Sequence, residues 1–133
     1  MSDLALIHVI AIAFWLGVVA VETVFEKAPI DKNAIAHLHR LTDRFVEIPI
    51  VVIVLISGLL LWAQADWALQ LLPKVLAGVG AVAANFYCYY CVEKRSAKES
   101  SFDRMSKLIE KSALIGFVCF VAALYLGVRY TSG

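Results

Sequence analysis

Four long apolar stretches divide the chain, and the polar residues lie mostly between them. Leu4–Val21, Ile48–Ala65, Val75–Val92 and Ser112–Val128 contain no acidic residue, Lys or Arg. Each is about long enough to cross a hydrocarbon core of roughly 30 Å. A segment inside lipid must satisfy its backbone hydrogen bonds internally, so each run is expected to be a helix. The pattern predicts membrane-spanning helices over about 4–25, 35–63, 73–92 and 102–130.

These helices predict one all-α domain covering 1–133: an integral membrane four-helix bundle with up-down-up-down order. There are no repeats or low-complexity segments. The first run is not expected to be a cleaved signal peptide, because Met1–Asp3 carries no Lys or Arg and the run ends in Glu22–Glu26. Short polar connections follow the first and second helices, and the charged segment Glu93–Lys111 leads into the fourth.

Composition and charge placement support a membrane protein of defined orientation. Hydrophobic residues make up 62% of the chain and charged residues 17%, too few to cover a soluble core, while the net charge is +1. Only Lys74 and Arg129, of 12 basic residues, fall on the side predicted to hold both termini. Loops rich in Lys and Arg stay cytoplasmic, so both termini are expected to be extracytoplasmic, in a prokaryotic plasma membrane. The expected surroundings are lipid, with no nucleic-acid partner.

Ionisable residues at membrane depth mark the first candidate site. Such groups are costly in a bilayer and are functional candidates by default. Counting depth along antiparallel helices brings one set together near the cytoplasmic end: Glu22, Glu26, His39, Asp43, Glu47 and Asn85. Carboxylates and an imidazole from facing helices are typical ligands for a divalent metal such as zinc, iron, manganese or copper. We predict Glu22, His39, Asp43 and Glu47 as ligands. The alternative is that the acids form ordinary ion pairs with Lys27, Arg40 or Arg44.

A second candidate pair lies near the other end of the bundle. The same depth count places His8 and Lys74 within one helical turn of each other. His37 and His39 lie near the opposite end, so one chain does not supply two histidines at a single depth for a haem. A haem would need His8 with a non-histidine second ligand or a second copy of the chain. Cys88, Cys91 and Cys119 are expected to be small buried residues, since a single Cys-x-x-Cys pair is a weak metal signal.

The sequence resembles the HemJ-type protoporphyrinogen oxidases and the related CopD-like four-helix membrane proteins. The resemblance is carried by His8 with Phe14–Gly17, Pro49, Ser57–Leu61, and Lys74 within Leu72–Val75. It implies a four-helix membrane fold and a haem b cofactor bound by His8. It also implies that Lys74 takes part in oxidation of the tetrapyrrole substrate, as a catalytic or substrate-binding group.

Three functions therefore remain in view. The first is a small membrane protein with a redox role, binding haem b or a related tetrapyrrole through His8 and Lys74. The second is a divalent-metal binding or transport protein that uses the cluster at the cytoplasmic end. The third is a non-catalytic subunit that assembles with partners, or as a homodimer, through the small residues Gly78, Gly80 and Ala84 of the third helix.

Overall fold

The computed structural model describes residues 2–97 and 101–132, and in this part of the chain all regular structure is helical. Helix α1 covers Asp3–Lys27, and the second span consists of α2 (Lys32–Thr42), a π-helical segment (Asp43–Glu47) and α3 (Ile48–Gln64). A short 3₁₀ turn, Leu69–Leu71, leads into α4 (Leu72–Ser96), and α5 covers Phe102–Ser132.

Within the described residues, four helices are long and apolar enough to cross a membrane, which confirms the predicted helical spans. The helices extend a few residues beyond the predicted ends: the second span begins at Lys32 rather than near 35, and α4 ends at Ser96 rather than near 92. α2 and α4 pack on each other beyond the predicted ends, and Arg40 of α2 pairs there with Glu93 of α4. Lys98, counted among the basic residues above, lies outside the described residues.

The pattern of burial is the reverse of that in a soluble protein. Large apolar side chains such as Phe14, Val24 and Phe117 are more than half exposed, whereas Glu22, Asp43 and Glu47 are buried. A water-soluble protein of this size rarely exposes so much continuous apolar surface. Lipid contact on the outside and polar contact on the inside account for both observations.

Two clusters of apolar residues hold the helices together. In the middle of the bundle, Ala11 and Trp15 of α1 meet Val51 and Val54 of α3 and Ala81 of α4. Near the connections α1–α2 and α4–α5, a second cluster joins α4 to α5; its buried members are Cys91, Val92, Met105 and Ile109. These connections mark one end of the molecule, here named the basic end. Lys32 Nζ lies 3.8 Å from Asp103 Oδ1 there, across the two connections.

The π-helical segment has a cause in the sequence. Pro49 lacks a backbone N–H, so it donates no hydrogen bond to the preceding turn, and its ring crowds that turn. The chain accommodates this by widening, and the backbone N–H of Ile48 bonds to the carbonyl of Asp43 five residues earlier. Both ends of the widened turn, Asp43 and Glu47, are buried. Single π turns inside α-helices are frequent at functional sites.

Candidate metal centre

His39 lies at the centre of the polar cluster. It is 4% exposed and stands on α2, one turn before the π-helical segment. Its Nδ1 lies 2.6 Å from Glu26 Oε1, and its Nε2 lies 2.6 Å from Glu22 Oε2 and 3.6 Å from Asp43 Oδ1. One imidazole ring therefore has carboxylate oxygens on both sides. His39 is therefore enclosed by protein and not solvated at the membrane boundary.

The carboxylate of Glu26 is fixed from behind by Arg95. The guanidinium of Arg95 donates to both oxygens of Glu26, over 2.6 Å to Oε1 and 2.9 Å to Oε2. The same Nη1 donates to Ser106 Oγ over 3.1 Å, and the ring of Phe102 lies 5.1 Å from the guanidinium carbon. Arg95 is among the largest fully buried side chains. Its planar donor fork holds Glu26 in one orientation, so α1, α4 and α5 are tied together behind His39.

Two carboxylate oxygens in front of His39 have no hydrogen-bond donor besides His39 itself. Glu22 Oε2 and Asp43 Oδ1 are both buried, and a donor for them among the described residues is supplied only by His39 Nε2, if that nitrogen carries a proton. Ligand atoms of Glu22, His39 and Asp43 all lie within 4.8 Å of one another. A buried acceptor without a donor is costly. These two oxygens and the ring nitrogen Nε2 thus form a set of three electron-pair donors that face one small volume.

Glu47 completes the acidic set from the far end of the π-helical segment. It is 3% exposed, and its Oε1 accepts a hydrogen bond from Trp15 Nε1 over 3.2 Å and a very short one from Asn85 Nδ2. The carboxylates of Glu22 and Asp43 lie within hydrogen-bonding reach of it. The prediction that Asn85 joins the cluster agrees with this geometry.

The geometry of this set is close to that of a metal site. Zinc ligands lie about 2.0–2.2 Å from the ion, so tetrahedral ligand atoms are about 3.4 Å apart. The separation of 3.6 Å between His39 Nε2 and Asp43 Oδ1 fits this spacing. The 2.6 Å between Nε2 and Glu22 Oε2 is shorter, so the Glu22 oxygen would have to move by about 0.8 Å to share an ion with His39.

An ion pair does form in the cluster, but two of the three predicted basic partners lie elsewhere. Arg40 Nε donates to Glu93 over 3.1 Å and Arg44 Nη2 over 2.9 Å, so both pair with an acid outside the cluster. The basic partner of the cluster is Arg95, which sequence reasoning placed with the charges of the connecting segment. A signal was present in the sequence, because Arg95 lies within one helical turn of Val92, where the apolar run of α4 ends.

The pair predicted at the opposite end is also present. His8 Nδ1 lies 2.7 Å from Ser57 Oγ, while the Ser57 hydroxyl is 2.6 Å from the carbonyl of Ile53. Lys74 is close enough to His8 for their charges to interact, and its side chain lies against Gly127. Counted along α1, His8 and Glu22 are about 21 Å apart at 1.5 Å per residue. Each of the two predicted sites is therefore assembled in the structure, but the two sites lie far apart along the bundle.

The small residues of α4 are used within the chain. A Cβ added to Gly80 would lie 3.3 Å from Cys119 Sγ, and one added to Gly116 would lie 3.4 Å from the Cβ of Ala84. Gly80 and Ala84 thus allow α5 to approach α4. Gly78, the third member of the predicted assembly face, has nothing within 4 Å of an added Cβ. Cys91 is buried, Cys88 and Cys119 are partly buried, and all three are free thiols.

No family model matches the chain, and no curated protein or solved structure is significantly similar to it. The resemblance to HemJ-type proteins therefore stays a prediction, and function has to be argued from the geometry.

Proposed function

We propose that this membrane protein binds a divalent metal ion through His39, Glu22 and Asp43, with Glu47 as a further ligand. The observation that carries the proposal is the orientation of His39. With its proton on Nδ1, the imidazole donates to Glu26, and the lone pair of Nε2 faces Glu22 Oε2 and Asp43 Oδ1. Metal-binding histidines usually donate their second ring nitrogen to a carboxylate, which fixes the tautomer and the ring.

The charge of the cluster supports the same proposal. Glu26 is neutralised by Arg95, whereas Glu22, Asp43 and Glu47 share a buried space with one imidazole. Burying uncompensated carboxylates is strongly unfavourable, and such groups are paired, protonated or bound to metals. A divalent cation would offset two of the three charges. The ligand set of one imidazole and carboxylates suits Zn²⁺, Fe²⁺ or Mn²⁺ better than a soft ion such as Cu⁺.

Two histidines on α2 allow a matched test. His39 is buried in the cluster, whereas His37, two positions earlier and on the opposite face of α2, is exposed. Protein purified in mild detergent and analysed by metal mass spectrometry should carry one equivalent of metal, retained in His37→Ala and lost in His39→Ala. Equal metal content in the two variants would contradict the assignment. A metal-free wild type that takes up no Zn²⁺, Mn²⁺ or Fe²⁺ on dialysis would contradict metal binding itself.

We also propose the orientation predicted from charge, with the basic end in the cytoplasm of a prokaryotic cell and both termini outside. Lys27, Lys32, Arg40, Arg44 and Lys94 all lie near the basic end, which supports it. Reporter fusions should be exported at the C-terminus and retained in the α1–α2 connection. A cytoplasmic reporter at the C-terminus would overturn this orientation.

A second candidate function, haem binding with a redox role, is favoured by one feature of His8. The Ser57 hydroxyl donates to the carbonyl of Ile53, so its oxygen is left to accept the Nδ1 proton of His8. In that tautomer the lone pair lies on Nε2, the nitrogen that a haem iron would need. Haem-loaded protein should show a Soret band that His8→Ala abolishes and His37→Ala leaves intact. A band unaffected by His8→Ala would exclude His8 as the ligand.

A further inference from the structure

A cleft between α1 and α5 reaches the polar cluster from the side. Its volume is about 670 Å³, within the range of roughly 300–1,000 Å³ found for small-molecule sites. Its walls come from α1 and α5, and its floor from α4 with Ala84 and Asn85. Leu16 and Phe117 on the two walls are about half exposed, so the cleft opens toward the surrounding lipid.

The dimensions of the cleft favour a narrow occupant. Its α1 wall extends from Trp15 to Lys27, a length of about 18 Å at 1.5 Å per residue. A volume of about 670 Å³ over that length corresponds to a mean cross-section of about 37 Å². A helix with side chains is about 10 Å wide and needs about 80 Å². This cross-section matches a single hydrocarbon chain more closely than a helix from a second copy of the chain.

Polarity is distributed unequally along the cleft. The part near the basic end is polar: Glu22, His39 and Glu47 are buried in it, and Glu26 is paired with Arg95. Two lysines and two acids of balanced charge also line it as exposed side chains, namely Lys27, Lys107, Asp103 and Glu110. The part near the middle of the bundle is apolar, lined by Trp15, Phe117 and Phe120. An occupant that matches this gradient carries its polar group toward the membrane surface and its apolar part toward the bilayer centre. Lipid-like amphiphiles have this arrangement in either leaflet.

The chemistry of the floor selects the polar group. Glu22 is 5% exposed and its Oε2 has no hydrogen-bond donor besides His39 Nε2, while Asn85 Oδ1 on the floor has none among the described residues. These atoms accept hydrogen bonds. Arg95, the buried cation at this depth, is committed to Glu26. An anionic headgroup would meet repulsion here, whereas a cationic donor would be attracted.

We propose that the cleft binds one single-chain amphiphile from the bilayer, with an ammonium headgroup on the acidic floor and its tail toward the bilayer centre. The proposal does not depend on the metal. A metal ion on Glu22 Oε2 would leave Asn85 Oδ1 as the acceptor for the ammonium group and, with all three carboxylates ionised, a net charge of −1 in the cluster. Metal content and amphiphile binding are measured separately, so either proposal can fail without the other.

Trp15 provides a reporter in the wall of the cleft. The other two tryptophans, Trp62 and Trp67, lie together beside the turn between α3 and α4, so a Trp62→Phe/Trp67→Phe background leaves Trp15 alone. The probe is a long-chain primary amine with a spin label on its chain, and the control is the alkyl sulfate with the same chain. The amine should quench Trp15 fluorescence saturably, with affinity at least about tenfold above that of the sulfate.

Two pairs of variants separate the cleft from general lipid contact. Ala113 and Thr23 line the cleft, whereas Ile115 and Val24 are exposed on the same helices and do not. Ala113→Phe and Thr23→Phe should each weaken amine binding about tenfold, and Ile115→Phe and Val24→Phe should leave it unchanged. The second pair keeps the test valid if one variant fails to fold.

Several results would overturn the proposal. Non-saturable quenching that is equal for amine and sulfate would show ordinary lipid contact. Saturable quenching with equal affinity for the amine and the sulfate would show that the acidic floor does not select the headgroup. Quenching that disappears as protein concentration rises, together with dimer formation, would show that a second copy covers the cleft.

Discussion

Glu26 and Arg95 are 69 residues apart in the chain and form a two-bonded ion pair inside the bundle. Glu26 Oε1 is also 2.6 Å from the Nδ1 of His39. The pair thus connects α1 to α4 and, through the imidazole, sets which ring nitrogen of His39 faces Glu22 and Asp43. A long-range ion pair here determines the chemistry of a site to which Arg95 does not itself contribute a ligand.

Replacing Arg95 should therefore weaken metal binding, although Arg95 is not itself a ligand. In Arg95→Met, Glu26 becomes an unpaired buried carboxylate, and loss of one partner of a buried pair typically costs about 3–5 kcal/mol. Metal affinity should fall about 10–100-fold, as for other groups that orient a ligand. Isothermal titration with Zn²⁺ and thermal unfolding measure the two effects.

Arg44→Met is the control for that substitution. Arg44 pairs with Glu93 and its side chain is 43% exposed, so its loss should cost at most about 1 kcal/mol and leave metal affinity unchanged. Adding Glu26→Gln to Arg95→Met should recover part of the lost stability. Full metal affinity in Arg95→Met would show that Glu26 and Arg95 do not orient His39.

Glu47 should contribute to metal affinity through its place beside Glu22 and Asp43. Glu47→Ala removes one carboxylate from the cluster and leaves the N–H groups of Trp15 and Asn85 without their acceptor. We expect at least about a tenfold loss of Zn²⁺ affinity. Glu110→Ala, on the exposed surface of α5, should have no effect. Unchanged metal content in Glu47→Ala would restrict the site to Glu22, His39 and Asp43.

Pro49 should lower the stability of the protein while it places the ligands of the metal site. Pro49→Ala restores a backbone donor, so the π-helical segment can relax to an α-helix and turn Asp43 away from Glu47. We expect a gain in stability of about 1 kcal/mol together with weaker metal binding. Pro73→Ala, at the start of α4, should change neither. Higher metal affinity in Pro49→Ala would show that the π turn is not needed to place the ligands.

Gly58 should be intolerant of a methyl group because of His8. An added Cβ would lie 3.0 Å from His8 Cε1, whereas one on Gly78 meets nothing within 4 Å. Gly58→Ala should lower the melting temperature and displace the His8 ring, while Gly78→Ala should be neutral or stabilising by up to about 1 kcal/mol. Any haem Soret band should shift in Gly58→Ala only. Equal stability of the two variants would contradict the observed packing of His8.

Much of the candidate site could be predicted from sequence, because depth in a membrane can be counted. The apolar runs placed Glu22, His39, Asp43 and Glu47 at one level, and helical spacing put the last three on one stripe. Arg95 could not be predicted in its role, since its pairing depends on how α4 is rotated against α1. Trp15 reads as an ordinary apolar core residue, and its hydrogen bond to Glu47 depends on side-chain direction.

The sequence by itself determined that the chain has four helices long and apolar enough to cross a membrane, because segment length and the cost of unsatisfied backbone groups in lipid depend only on local composition. Tertiary structure decided which acid faces which base. The rotation and spacing of packed helices are set by small angles and distances that no local sequence pattern specifies. They bring Arg95 to Glu26 and bring Arg40 and Arg44 to Glu93. They also leave a cleft between α1 and α5.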